Sequence, residues 1–460
     1  MASPIEEEAD IVLYLADFVD PKGYIFFAPV AKCWRKAWAE RPTITAGITV
    51  HTTLPQLSFS FQGGRLPPSH RLCEAAAGLG KLDLLRCARD FGCGWSLSVC
   101  SRAAMGGHLE VLQWAHDNGC PWSQHTCHQA AGGGHLTVLQ WARKNGCPWD
   151  LRTCTAAAEG GHIEVVRWAV AHDCRFDELT CASAAGGGHQ TILEELRAAG
   201  CPWDEVTCSW AAAGGHLDIL RWARANGCAW NGRTCDEAAL SGSLDILRWA
   251  RAEGCPWNAE TTMCAAQGGH LHILQWARGK NCPWDENACT KAALYGHLDV
   301  LQWMRANGCP WNEDTSTQAA KNGHLDVLQW ARRNGCPWDT TACRAAAEKG
   351  HLGVLQWARA NDCPWDVETC AAAAKSGHLG VLQWARGNGC PWDKMTVLKA
   401  AEGGNLEVLQ WASANGCPMA GDAFDLAAVR GHADVMDWLI ENVGGETAIP
   451  IGREFVPDDY

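Results

Sequence analysis

Residues 148–162 read Pro-Trp-Asp-Leu-Arg-Thr-Cys-Thr-Ala-Ala-Ala-Glu-Gly-Gly-His, and the fold can be predicted from the signals in this segment. Asp150 suits the N-cap of a helix, because its carboxylate can accept from backbone N–H groups two or three residues on. The alanine-rich run favours a short helix, and the glycines end it. The next residues, Ile-Glu-Val-Val-Arg-Trp-Ala, have the apolar spacing of a mostly buried second helix. The stretch therefore predicts a helical hairpin.

The hairpin segment recurs with a fixed period of 27 residues, in fourteen copies between residues 81 and 432. Two alanines and a glycine precede the histidine position in every copy. That position holds Lys81, Ser243 and Asn405 in three copies and histidine in the rest: His108, His135, His162, His189, His216, His270, His297, His324, His351, His378 and His432. Two helices of about ten residues cannot bury their apolar faces alone, so the copies are expected to stack into an all-α solenoid.

The end of each second helix carries its own signal. Glycine stands in one column there, and the exceptions are Asp173, Asn281 and Asp362. Aspartate and asparagine tolerate a left-handed backbone best after glycine. The column therefore predicts a left-handed C-terminal cap in each copy.

Composition excludes several classes of protein. The chain has 460 residues and a formal net charge of −13. It lacks an apolar run of about 18 residues, so no membrane span is expected, and no basic block suits nucleic acid. The acidic start, Met1 to Glu8, does not fit a signal peptide. We expect an intracellular monomer, cytoplasmic or nuclear, whose cysteines are free thiols.

Tryptophan and cysteine, at 26 residues each, owe their excess to the repeat, which has two columns of each. The tryptophans are interpreted as a buried packing ladder, each indole against its equivalent in the next copy. An exposed aromatic platform for peptide, sugar or nucleobase is the alternative. The cysteines are interpreted as small buried thiols, because the second column becomes Thr262, Ser316 and Val397 without other change.

Metal and catalytic sites are not expected. Two cysteines and one histidine per copy raise a zinc hypothesis, but Cys-x6-Cys lacks the short clasp of common structural zinc sites. The histidines are expected to bond backbone in the turn between helices, with pH sensing as the alternative. The glycine runs follow a helix rather than a strand, so no dinucleotide fingerprint is present. The sequence predicts no cofactor, no metal and no enzymatic activity.

The pattern Ala-Ala-x-x-Gly-His-Leu-x-Val-Leu, closing with Gly-Cys, resembles the core of the ankyrin repeat and covers residues 69–441. The copies have 27 residues where that family has about 33. The missing residues fall where the family has a β-hairpin finger, so fingers are not expected. The resemblance implies an ankyrin-like solenoid that recognises a protein on a concave face lined by the first helices.

Carried over by position, the binding residues are those between Ala-Ala and Gly, where the copies vary. Neutral variation at solvated positions would give the same pattern. The later copies are chemically richer, and the resemblance points there to Leu294, Tyr295, Lys321, Asn322, Glu348, Lys349, Lys375, Ser376 and Arg430.

The N-terminal segment, residues 1–42, lies outside the repeat. Residues 15–35 resemble the later half of an F-box, whose opening Leu-Pro is replaced here by Glu7-Glu8. The resemblance implies docking to a ubiquitin-ligase adaptor through Leu15, Phe18, Pro21, Val30 and Trp34. The alternative is a small helical cap on the first repeat.

Two further segments complete the chain: a connector with one strand at residues 43–68 and a flexible tail at residues 442–460. Taken together, these features favour a non-catalytic protein–protein interaction module or scaffold. The alternative function is that of an F-box type substrate receptor, in which the solenoid selects the target.

Overall fold

The computed structural model describes residues 52–54, 57–58, 60 and 68–443. All regular elements in this part of the chain are α-helices, numbered α1 to α28, and they form fourteen hairpins. In each hairpin the first helix has an odd number and the second an even number. The chain divides between Thr234 and Cys235 into two compact units, here called unit one and unit two.

The helices of unit one are α1 (His70–Gly78), α2 (Leu82–Asp90), α3 (Leu97–Met105), α4 (Leu109–Asp117), α5 (Gln124–Gly132), α6 (Leu136–Lys144), α7 (Leu151–Glu159), α8 (Ile163–Ala171), α9 (Glu178–Gly186), α10 (Gln190–Ala198), α11 (Glu205–Ala213) and α12 (Leu217–Ala225). The unit boundary falls inside α13 (Gly232–Leu240).

The helices of unit two are α14 (Leu244–Ala252), α15 (Ala259–Gln267), α16 (Leu271–Gly279), α17 (Glu286–Leu294), α18 (Leu298–Ala306), α19 (Glu313–Lys321), α20 (Leu325–Arg333), α21 (Thr340–Glu348), α22 (Leu352–Ala360), α23 (Val367–Lys375), α24 (Leu379–Gly387), α25 (Lys394–Glu402), α26 (Leu406–Ala414), α27 (Ala423–Arg430) and α28 (Ala433–Val443).

The predicted N-caps begin the first helices. Asp150 Oδ1 accepts from the backbone N–H of Arg152 at 3.0 Å, and Asp204 and Asp339 make the equivalent bond at 2.9 Å. This bond satisfies one of the donors that a helix start leaves free. The caps are therefore confirmed at these positions.

The second helices end as the glycine column predicts. Gly146 has φ 81°, and the three exceptions Asp173, Asn281 and Asp362 have φ 58°, 60° and 64°. The amide of the next residue turns back onto the helix, as where Cys147 N–H donates to Ala142 O at 3.0 Å. The left-handed cap is confirmed, including its exceptions.

Stacking of the first helices builds each unit. In unit one, each first helix from α1 to α9 packs on the next first helix, and in unit two the same holds from α15 to α25. The alanine pairs lie in these contacts and are fully buried, as at Ala157 and Ala158. Their small side chains let the helices approach closely. Each unit is thus an ankyrin-like solenoid of helical hairpins, as predicted.

The tryptophans correct the sequence interpretation, since those of both columns stay partly exposed. The turn tryptophan pairs edge-on with the helix tryptophan 19 residues later in its own hairpin, at centroid distances of 5.6–6.0 Å. An arginine from the preceding second helix covers the turn indole at 4.0–4.5 Å, as Arg143 covers Trp149. The columns form an outer ladder of arginine and tryptophan because the guanidinium needs solvent on one side.

The connector differs from its prediction where it is described. Leu54, Leu57, Ser58 and Ser60 are helical, so the expected strand is wrong at these residues. Leu57 is fully buried, and Ser58 Oγ lies 3.3 Å from Cys87 Sγ on α2. The F-box-like segment and residues 444–460 lie outside the described residues, as does most of the connector.

None of the described helices combines the length and apolar character that a bilayer span requires.

Candidate functional site

A ladder of histidines fixes the C-terminal ends of the first helices. Nine of the eleven repeat histidines donate from Nε2 to the last carbonyl of the first helix in the preceding hairpin, as His162 does to Gly132 O at 2.9 Å. Nine histidines make this bond at 2.9–3.2 Å: His108, His135, His162, His189, His216, His270, His297, His324 and His432. The prediction of backbone bonding is confirmed, and the bond joins neighbouring hairpins.

Asn405 shows that the bond, rather than the imidazole, is what the position provides. Its Nδ2 donates to Lys375 O at 2.8 Å and to Ala374 O at 2.9 Å. An amide of similar reach therefore replaces the ring at a position where histidine is otherwise the rule.

In unit one the ends of the first helices are largely bare backbone. A Cβ on Gly133 would lie 2.7 Å from Met105 O, and one on Gly187 would lie 2.7 Å from Glu159 O. Both distances are shorter than any normal carbon–oxygen contact. Close approach of the chain therefore favours glycine there.

In unit two, from α17 onward, the same positions carry side chains except at Gly403. We call the partly or fully exposed side chains at these positions the C-terminal row. Its members are Leu294, Tyr295, Lys321, Asn322, Glu348, Lys349, Lys375, Ser376, Glu402 and Arg430. Tyr295 is 48% exposed, and its ring stacks on His297 at 6.4 Å and 14°. Asn322 donates to Gln318 O at 2.9 Å, and Lys349 pairs with Glu348 at 3.4 Å. The row contains the nine residues that the sequence singled out, together with Glu402.

Glu402 is the centre of the row's one charge cluster among the described residues. Lys375 Nζ lies 2.8 Å from Glu402 Oε1, Lys399 Nζ lies 2.7 Å from Oε2, and Arg430 Nη2 lies 3.4 Å from Oε1. Hydrogen bonds from the two lysines lower the pKa of Glu402 to about 2, although burial opposes the shift. Three successive hairpins therefore share one carboxylate.

Sequence reasoning missed Glu402 and Lys399. Glu402 stands in the same column as Glu348 and Lys375, so the signal was present in the repeat register. The glycine that follows it, Gly403, made this copy resemble the bare copies of unit one. The structure thus adds a carboxylate to a surface predicted from its cations and polar groups.

Unit one has a different exposed set on its first helices. Leu97, Met105, Leu151 and Leu179 are 55%, 60%, 37% and 43% exposed. These residues were not predicted from the sequence as binding residues. They add exposed apolar side chains to first helices that also carry exposed charges, such as Arg102, Glu159 and Glu178.

The thiols are buried between the helices. Twenty-four of the 25 described cysteines are buried, and Cys264 is partly buried. Those after the second-helix cap donate to the N-cap carbonyl 24 residues earlier at 3.1–3.7 Å, as Cys201 does to Asp177 O. Burial raises the pKa of the Cys282 thiol to about 12. The cysteines are core residues, as predicted.

Among the described residues, no group of three or more histidine, cysteine, aspartate or glutamate side chains is arranged to hold a metal ion.

Comparisons with known proteins add little. No protein-family model matches the chain, and no curated protein matches it. A similar solved structure is the crystal structure of the human ASB11 ankyrin repeat domain, at 17% identity and a TM-score of 0.29. The match covers 34% of this chain and 84% of that chain. A likeness this low carries no weight, so the fold assignment rests on the helices and contacts above.

Proposed function

We propose that the chain is a non-catalytic protein-binding module whose partner docks on the C-terminal row of unit two. One observation carries the proposal: a uniform scaffold presents different side chains at equivalent positions. The histidine bonds, buried alanine pairs and caps hold the row in place. The exposed members vary from hairpin to hairpin, as a surface shaped for one partner requires.

The test compares the row with unit one in the full chain. Tyr295→Ala, Asn322→Ala and Ser376→Ala are combined in one variant, because these neutral side chains change no charge. Met105→Ala, Leu151→Ala and Leu179→Ala form the matched variant in unit one, where the replaced side chains are also exposed. Partners are captured from cells by proximity labelling and quantified by mass spectrometry.

The two variants separate the outcomes. We expect the row variant to lose a specific partner that the unit-one variant keeps, while both keep the wild-type circular dichroism spectrum. Loss of the partner only in the unit-one variant would move the site to that apolar surface and contradict the proposal.

A second function, substrate receptor of a ubiquitin ligase, is supported by the F-box resemblance of residues 15–35. The solenoid would then select the target and the N-terminal segment would bind the adaptor. Co-purification of the full chain with the adaptor tests this role. Trp34→Ala should abolish binding and Trp38→Ala, just outside the motif, should not. Absence of adaptor binding by the wild-type chain would leave only a capping role.

A further inference from the structure

The last turn of the first helices is positively charged in unit two, although the whole chain carries −13. From α17 to α27, the last turn and C-cap contain two carboxylates, Glu348 and Glu402, and six cations. The cations are Lys291, Lys321, Lys349, Lys375, Lys399 and Arg430. A local excess of one sign along a surface attracts a partner of the opposite sign.

The Glu402 cluster shows that this charge is left incompletely matched. Glu402 contacts three cations, yet the side chains of Lys375 and Arg430 remain 50% and 59% exposed. Glu402 itself is only 12% exposed, so it lies beneath its partners. A single carboxylate balances one of the three charges. The outer faces of Lys375 and Arg430 are therefore free to bind further carboxylates.

The N-terminal ends of α17, α19 and α23 are acidic, whereas α25 begins with Lys394. Glu286, Glu313, Asp314 and Glu368 stand at the N-terminal ends of α17, α19 and α23. The helix dipole favours acids at N-termini and bases at C-termini, which accounts for part of this pattern. It does not impose it, because unit one has Arg71 and Arg152 at N-terminal ends. A broad polyanion such as nucleic acid would be repelled by the acidic edge, whereas a narrow chain along the row would avoid it.

The distance between neighbouring first helices sets the spacing of contact residues in a bound segment. Packed helices lie roughly 8–10 Å apart. An extended chain in the polyproline II conformation rises about 3.1 Å per residue with three residues per turn, so every third side chain lies on one face and about three residues span one hairpin. Equivalent positions in successive hairpins do come together, since Lys375 Nζ lies 2.8 Å from Oε1 of Glu402, its equivalent one hairpin later.

We infer that the C-terminal row binds an extended acidic segment of a partner protein, with an acidic residue at about every third position. The inference rests on the proposed function and names the chemistry of its partner. Each lysine or arginine of the row binds one carboxylate of the segment. The remaining side chains of the segment face the neutral members of the row, Tyr295, Asn322 and Ser376.

The first experiment measures binding of a fluorescent peptide, Glu-Ser-Gly repeated five times, to the full chain by anisotropy. A peptide of identical composition with its glutamates clustered at one end is the register control. We expect the spaced peptide to bind roughly tenfold more tightly than the clustered one, and to weaken between about 50 and about 300 mM NaCl. Equal affinity of the two peptides would overturn the spacing, and binding of a single-stranded DNA 15-mer as tight as the spaced peptide would overturn the protein partner.

The second experiment uses variants that change the row in opposite directions. Lys375→Glu with Arg430→Glu should weaken the spaced peptide at least about tenfold. Lys144→Glu with Arg152→Glu, an equal charge change on unit one, should leave its affinity unchanged. Glu402→Gln should tighten binding about twofold to threefold, because it removes the carboxylate that competes for Lys375 and Arg430.

The outcomes distinguish the inference from the proposed function. If charge reversal in the row has no effect, or Glu402→Gln weakens the peptide, the acidic partner is ruled out. The proposed function still stands in that case if the neutral row variant loses its cellular partner. If no substitution in the row reduces binding of the peptide or of the cellular partner, both the inference and the proposed function are rejected.

Discussion

Unit one and unit two are built from the same helical hairpins but differ in the side chains at the ends of their first helices. Gly133 and Gly187 close their first helices with no side chain, and a Cβ at either would meet a backbone oxygen. At the equivalent positions Tyr295, Lys349 and Ser376 carry exposed side chains, with φ between −93° and −100° at the helix end. Gly133 has φ −82°. A small rotation of the helix end thus makes room for a side chain.

The comparison separates two kinds of position in a repeat. Where neighbouring hairpins meet through buried side chains or hydrogen bonds, both units use the same residues. Where the helix end faces solvent, the units diverge, and unit two gains a row of charged and polar groups. Binding is therefore expected where the scaffold leaves the side chain free.

The largest expected effect comes from moving a unit-two side chain into unit one. Gly133→Ser should lower the free energy of unfolding by about 2 kcal/mol, because its Cβ would lie against Met105 O and the His135 ring. The reverse change, Ser376→Gly, should cost about 0.5 kcal/mol. Urea unfolding followed by tryptophan fluorescence measures both. Equal costs would mean that the two helix ends do not differ in available space.

Much of the fold could be predicted from the sequence because its signals are local. The caps at Asp150 and Asp204 and the left-handed exceptions at Asp173 and Asn281 depend on residues a few positions apart. The fixed period then multiplies each local signal. Helices, turns and stacking follow from these alone.

The rest depends on contacts across the stack. Partial exposure of Trp149 follows from its position against Trp168 and beneath Arg143, which periodicity does not specify. Likewise, the joining of Lys375 and Arg430 on Glu402 requires the register of three hairpins. Sequence columns identify such residues but do not show which of them touch.

The next largest effect on stability concerns the side-chain bond between neighbouring hairpins, which both units have. His162→Ala removes the donor to Gly132 O and should cost about 1–2 kcal/mol. Asn405→Ala in unit two should cost a similar amount, since Asn405 bonds Lys375 O at 2.8 Å. His162→Asn, the control, should recover most of the loss. A neutral His162→Ala would mean that the ladder does not stabilise unit one.

A smaller effect on stability is expected from the Glu402 charge cluster, which lies in unit two. Glu402→Gln should cost about 1 kcal/mol at neutral pH, because the cations around Glu402 are partly screened by solvent. The pKa of Glu402 is lowered from 4.5 to about 2, so its contribution is present above about 4.5 and is lost as the pH falls through about 2. Thermal unfolding over this range should show that acid loss in wild type and not in the variant. If the wild type and the variant had the same pH dependence of stability, the charge cluster would not stabilise unit two.

The smallest effect on stability is expected at the buried threonines that recur at one position of the first helices. Thr207 Oγ1 in unit one and Thr369 Oγ1 in unit two are buried, and neither has a hydrogen-bond partner among the described residues. Val99 fills the equivalent position in α3. Thr207→Val and Thr369→Val should each change stability by less than about 0.5 kcal/mol or raise it, because no hydrogen bond is lost. Calorimetry compares them, and a marked loss in either unit would show an interaction that the structure lacks.

Carbodiimide cross-linking can locate the bound acidic segment on the C-terminal row, because it joins a carboxylate to a lysine amine only where the two touch. The spaced acidic peptide is coupled to the full chain, and the modified lysines are identified by mass spectrometry. Binding along the C-terminal row predicts cross-links at Lys321, Lys349 and Lys375, and none at Lys144 of unit one or Lys394 at the opposite helix end. Cross-links spread evenly over all five lysines, or concentrated on Lys144 and Lys394, would contradict it.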